Sequence, residues 1–232
     1  NMEKIIVEKE ISSYIGRMLR ENFGRGPTHV ICTISSPFLV VHLANFLSPM
    51  EKSLLANQDG AVYVQKNRDL LMESIIKDIT TYIEAALSTK VDEFFYDWNL
   101  QTSTGMFIIT LKNAETTIHE YPNKDKVEYE LEIVSALAQK KPEEIYSMLL
   151  NKRQLLLVRK GIMVPIEKEL IKFEFTEQLM IAKRELEKRI IKKHCNNFER
   201  YLSTKIIDQF TFWNFKKDTS YIIFILQNGF SH

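Results

Sequence analysis

An internal repeat limits the folds open to this chain more than any other property. Pro49-x-Glu51-Lys52 recurs as Pro165-x-Glu167-Lys168, 116 positions on. Ser88-Thr89-Lys90 recurs as Ser203-Thr204-Lys205, and Trp98-Asn99 as Trp213-Asn214, each 115 positions on. Three matches in the same order, with one single-residue slip, identify a tandem duplication. A period this long means two copies of a domain rather than a solenoid. The 232 residues suit two small domains, and 45% hydrophobic against 26% charged residues supplies a core for each. With only 7 Gly and 6 Pro, long low-complexity stretches are not expected.

Hydrophobic spacing gives the element order. Ile11, Tyr14, Ile15, Met18 and Leu19 mark one face of a helix that should end at Gly24, where glycine tolerates a left-handed cap. Alternation through Val30, Cys32 and Ile34, a Ser35-Ser36-Pro37 turn and the run Phe38 to Leu43 predict a hairpin. Ser48-Pro49-Met50-Glu51 is a helix start: Ser48 caps the Glu51 amide, Glu51 reaches back to the Ser48 amide, and Pro49 sits where its missing N–H costs nothing. A long helix follows over 64–88, with Leu71, Ile75, Ile79, Tyr82 and Ala86 as its core stripe. Val91 to Leu100 and Met106 to Leu111 then form a second hairpin. The second half repeats the order: helix 130–139, hairpin 145–159, a helix opened by Val164-Pro165, and a final hairpin. The long helix before that hairpin carries Leu179, Ala182, Leu186, Ile190, Phe198 and Leu202 inward. The expected fold is α+β, two homologous modules, each helix–hairpin–helix–long helix–hairpin with a small antiparallel sheet packed on helices. Boundaries fall at 1–113 for copy one, 114–126 for a polar linker and 127–232 for copy two. The copies are expected to pair as an internal pseudo-dimer.

The formal net charge is +1, which gives no general argument for nucleic-acid binding. Residues 1–115 carry 11 Lys/Arg against 14 Asp/Glu, and residues 116–232 carry 20 against 16. Lys183, Arg184, Lys188, Arg189, Lys192 and Lys193 make the second long helix basic; Glu185, Glu187 and Glu199 among them point to a solvated face. Cys32 and Cys195 are isolated, as in a reducing compartment. No apolar run reaches the roughly 18–20 residues of a membrane span. Asn1 reads as an appended residue, and the charged start from Met2 has no signal-peptide pattern. A cytoplasmic location is expected, with any recruitment to the membrane made through a partner.

Four motifs in copy one carry a resemblance: Gly24-Arg25-Gly26-Pro27, Ser48-Pro49-Met50-Glu51-Lys52, Arg68-Asp69-Leu70-Leu71 and Phe95-Tyr96-Asp97-Trp98-Asn99. In this order and spacing the first half resembles the MpsC-like family of bacterial proteins, over nearly all of residues 8–112. The resemblance implies a link to a sodium-translocating, membrane-potential-generating system connected with inorganic-carbon uptake, whose membrane-embedded subunits are other proteins. It carries over no catalytic residue. Copy two departs from the pattern: Lys140-Lys141 replace Gly24-Arg25-Gly26, Val164 replaces Ser48, and Phe212 replaces Asp97.

Chemistry is sparse. Gly24-Arg25-Gly26-Pro27 offers backbone amides and a planar cation to an anion, against the plainer reading of a helix stop. Asp97 and Asn99 point to the strand face opposite Tyr96 and Trp98. With Arg25 and Arg68 they form the candidate anion site. Glu51-Lys52 is readable as an acid–base pair, though capping accounts for Glu51. His29 and His42 lack a third metal ligand, Cys32 alternates with apolar residues, and no hydrolase, zincin or dinucleotide motif is present. No cofactor or metal is expected. The leading expectation is a non-enzymatic accessory or regulatory protein that docks on a membrane transport complex. The alternatives are a small-anion sensor built on Arg25, Arg68, Asp97 and Asn99, and an unrecognised enzyme.

Overall fold

A computed structural model describes residues 2–230 of the chain. It divides into two compact units, residues 1–117 and 118–232. Unit one runs α1 (Met2–Phe23), β1 (His29–Ser35), β2 (Phe38–Ala44), α2 (Pro49–Leu55), α3 (Gly60–Leu87), β3 (Val91–Asn99) and β4 (Thr104–Leu111). Unit two repeats the order as α4 (Lys124–Ala138), β5 (Glu144–Asn151), β6 (Gln154–Lys160), α5 (Pro165–Lys172), α6 (Thr176–Leu202), β7 (Ile206–Asn214) and β8 (Thr219–Leu226). Each unit has a four-stranded antiparallel sheet, ordered β1-β2-β4-β3 and β5-β6-β8-β7. The fold is therefore α+β and duplicated.

In unit one Leu39, Val41 and Leu43 of β2, Phe107 and Ile109 of β4 and Trp98 of β3 pack on Ile11, Ile15 and Leu19 of α1 and Met72, Ile75, Ile79 and Ile83 of α3. The period of 2 in the strands and the 4-4 and 3-4 steps in the helices put these side chains on facing surfaces. Gly24 adopts φ +72°, the left-handed conformation that ends α1. Ser88 and Ser203, both left-handed, end α3 and α6.

The edge strands β1 and β5 do not present a bare edge. The Cys32 N–H donates to Ser12 Oγ at 2.9 Å and the Ile34 N–H to Glu8 Oε1 at 2.7 Å, so α1 side chains occupy amides that would otherwise recruit another strand. Along β5, the Leu149 N–H donates to the His119 carbonyl, and Tyr121 Oη lies 2.6 Å from Ser147 Oγ.

Three expectations are corrected. Helix α4 starts at Lys124, so the end of the 114–126 stretch is helix rather than linker. On α3 the buried residues are Gly60, Val64, Arg68, Met72, Ile75, Ile79 and Ile83, with Leu71, Tyr82 and Ala86 at the margin. On α6 they are Leu179, Lys183, Glu187, Ile191, Phe198 and Leu202, while Ala182 is exposed and Leu186 and Ile190 are half-buried. The apolar pattern found Ile75, Ile79, Leu179, Phe198 and Leu202 and missed the charged members of both stripes, because it took for granted that charged residues face water. Lys183 in particular belongs to the interior, not to a solvated basic face.

Candidate functional site

The motif residues of copy one meet around a buried cation. Arg68 reaches from α3 into the core, 2% exposed, between the rings of Phe46, Phe23 and Trp98, whose centroids lie 3.9, 4.5 and 4.7 Å from its guanidinium carbon. A charge there is tolerable only if paired. Glu51 provides the pairing: Arg68 Nη2 donates to Glu51 Oε2 at 2.9 Å and to the Phe46 carbonyl at 3.4 Å. Arg68 Nε lies 2.8 Å from Glu51 Oε1, an ion pair rather than an aligned hydrogen bond. Burial pushes the guanidinium below its usual range, and the hydrogen bond and charge of Glu51 pull it back up. Arginine starts so high that it stays charged.

Glu51 also closes the expected reciprocal cap. Its Oε2 accepts the Ser48 N–H at 2.8 Å, and Ser48 Oγ accepts the Glu51 N–H at 3.2 Å. One carboxylate thus fixes the start of α2 and neutralises α3.

Copy two preserves this joint with different chemistry. Val164 offers no acceptor, so only half of the cap remains: Glu167 Oε2 accepts the Val164 N–H at 3.0 Å. Glu167 Oε1 accepts from Lys183 Nζ and from Gln139 Nε2, each at 2.8 Å. Lys183 Nζ lies 5.7 Å from the Trp213 ring centroid. At an offset of 115, Lys183 stands where Arg68 stands, so the counterpart of Arg68 is Lys183 rather than Arg184. Carboxylate, cation and tryptophan form the repeated unit, and Glu167 persists without a capping serine because the cation still needs it.

The other repeated matches are joints too. Glu84 accepts from Lys90 Nζ at 2.7 Å and from the Val91 N–H at 3.0 Å. Glu199 does the same with Lys205 at 2.6 Å and the Ile206 N–H at 3.0 Å. The hydrogen bonds from Lys90 and Val91 hold Glu84 below the usual carboxylate range. Asn99 Oδ1 accepts the Gln101 N–H, and Asn214 Oδ1 accepts the Lys217 N–H, fixing the turns between β3 and β4 and between β7 and β8.

The structure does not bring the candidate anion site together. Asp97 neighbours Met106 in register and lies on the sheet face opposite Trp98, whereas Arg68 lies under Trp98. Asn99 is at the strand end in its turn, and Arg25 is half-buried in the α1–β1 connection beside Gly26 and Pro27. Lys52 is exposed and Pro49 occupies the first helical turn. Tyr96 is half-buried with its ring 6.2 Å from that of Trp98. Among the described residues, no group of three or more His, Cys, Asp or Glu is arranged to hold a metal ion. Cys32 is buried, and desolvation together with Glu8 drives its thiol pKa up, the opposite of an activated nucleophile.

Sequence reasoning missed a second polar cluster entirely. Arg159 of β6 is 0% exposed; its Nη1 donates to Ser135 Oγ at 2.9 Å, and its Nη2 to Glu187 Oε2 at 2.7 Å and Ser220 Oγ at 2.8 Å. Copy one has Leu43, Leu19, Met72 and Gly105 at the matching positions, offset by 115 or 116. A whole layer of apolar core in one copy is thus polar in the other. The signal was available: aligning the copies through their repeats places charged residues opposite core aliphatics.

Among the described residues no helix is long and apolar enough to cross a membrane. No curated protein and no solved structure matches the chain. One family profile does, described as Na+-translocating membrane potential-generating system (MpsC), over residues 3–113 and again over 132–228. With both copies covered and the paired sheets repeating one topology, the chain belongs to the MpsC family, as a tandem pair of its domains.

Proposed function

We infer that this protein is a non-enzymatic accessory or regulatory component, which docks on the membrane-embedded subunits of a Na+-translocating, membrane-potential-generating system and bears on inorganic-carbon transport. The observation that carries the reading is the consumption of the polar motifs in structural joints. Arg68, the strongest anion ligand on offer, is held by Glu51, and the same joint recurs at Glu167–Lys183. Residues that hold helices together are not also waiting for a substrate, so the role in the family's system falls to surfaces. The small-anion sensor loses its central arginine by the same argument, since binding would have to displace a buried ion pair.

The test uses inside-out vesicles from cells with and without the membrane subunits of such a system. The chain is expected to sediment with the first and to change the potential that Na+ flux generates across them. Equal recovery from both vesicle types overturns the reading.

A further inference from the structure

Unit two carries an apolar corner that its own fold does not use. Ile166 and Leu170 lie one turn apart on α5, Phe173 caps its C-terminus, and Phe175 caps the start of α6. Ile166 is 65% exposed, Phe173 70% and Phe175 48%. Glu167, about 100° round the helix from Ile166, turns inward and pairs with Lys183 of α6. Copy one makes the same α2–α3 corner with Asn57 and Asp59 at the positions of Phe173 and Phe175, offset by 116. Copy one also exposes Met50, 66%, at the position of Ile166, so what sets copy two apart is the exposed aromatic pair, which this connection does not need in copy one.

Charge selects what they serve. The exposed charges of this corner are Lys168, Glu169, Lys172, Glu174 and Glu177. Lys172 pairs with Glu169 at 2.5 Å, and the five together, two cations against three carboxylates, leave the rim at −1 with Glu174 and Glu177 beside the aromatic pair. An anionic lipid surface attracts cations and repels such a rim. Cytoplasmic loops of integral membrane proteins carry an excess of Lys and Arg, and they match an apolar corner with an acidic rim. We propose that the Ile166–Phe173–Phe175 corner of unit two binds a Lys/Arg-rich cytoplasmic loop of an integral membrane protein, Phe173 and Phe175 entering an apolar recess and Glu174 and Glu177 meeting its cations. The proposal rests on the docking function inferred above and names the surface and the chemistry of its partner.

The variant Phe173→Asn/Phe175→Asp grafts the copy-one corner onto copy two. Binding is measured by flotation with inside-out vesicles that contain the Na+-translocating subunits, with the same vesicles shaved by trypsin, and with protein-free liposomes of the same lipids. The expected result is wild-type binding to intact vesicles only, weakened roughly tenfold or more by the graft and weakened by added salt, with thermal unfolding unchanged. Wild-type binding to liposomes or to shaved vesicles overturns the proposal in favour of lipid. A graft that binds like wild type overturns it while the docking function stands. A wild-type dimer dissolved by the graft, seen by sedimentation velocity, assigns the corner to a second copy and overturns it too. No binding by wild type refutes the docking function itself.

Discussion

Replacing Glu51 with alanine strands a buried charge. In the wild type, Arg68 is enclosed by Phe23, Phe46 and Trp98, and Glu51 supplies its counter-charge. The side chains are 2% and 10% exposed, so solvent screening takes little from the interaction. Removing one partner of such a pair costs about 3–5 kcal/mol. The same substitution deletes the acceptor for the Ser48 N–H while the Ser48 side-chain cap survives, and losing that one hydrogen bond costs about 1 kcal/mol more. Domains are stable by only about 5–15 kcal/mol, so Glu51→Ala should bring unit one close to unfolding. The assay is urea unfolding in a Trp213→Phe background, where Trp98 fluorescence reports unit one alone. Glu51→Ala should shift the midpoint strongly downward, and Glu51→Ala/Arg68→Met should recover most of the loss, because the double variant no longer buries an unpaired cation. The reasoning is refuted if the single substitution costs under about 1 kcal/mol. It is equally refuted if the double variant is as unstable as the single.

Four further outcomes follow from the same physics. Glu187→Met alone should destabilise unit two by about 3–5 kcal/mol by leaving Arg159 unpaired. Grafting the whole copy-one layer, Ser135→Leu, Arg159→Leu, Glu187→Met and Ser220→Gly, should be neutral or stabilising by denaturant midpoint, the more so because Glu187 Oε1 has no hydrogen-bond donor. Gly105→Ala should cost about 1–3 kcal/mol in the same measurement, since a Cβ there would stand 2.6 Å from the Trp98 ring. Burial raises the Cys32 thiol, so the folded state keeps its proton while the unfolded chain releases it above about pH 8.5. Stability from this group is thus complete below that pH and falls as pH rises; Cys32→Ala should flatten the alkaline limb of the unit-one stability profile.

Much of this architecture is legible in the residues. The Ser48 cap, the Gly24 stop and the hairpin turns are local devices, and local spacing is enough to find them. The duplication is legible for the same reason, because its three matching motifs are joints that both copies use. What eluded the sequence lies inside. Hydrophobic periodicity treats Arg68, Lys183, Arg159 and Glu187 as solvent-facing, yet each is buried by a partner on another element. Pairing over 16 to 61 residues leaves no trace in a helical wheel. The candidate anion site failed to converge for a related reason. Alternation placed Asp97 and Asn99 on one strand face correctly relative to Trp98, but it could not say that Arg68 approaches the other face.

The divergent core layer has a consequence for how the chain reaches its native state. Tandem copies of one domain are prone to misassembly, with an element of one copy entering the other. Here the exchange is penalised. If α1 docked on the sheet of unit two, Leu19 would stand where Ser135 receives Arg159, and that guanidinium would lose an acceptor. If α6 docked on the sheet of unit one, Glu187 would enter a pocket of leucines with no cation to meet it. The first error strips one acceptor from a buried guanidinium that keeps Glu187 and Ser220, and the second buries a carboxylate without a partner, so both disfavour the exchange of helices between sheets. The polar layer that looks like a defect in the second copy acts as the label by which the two copies tell themselves apart.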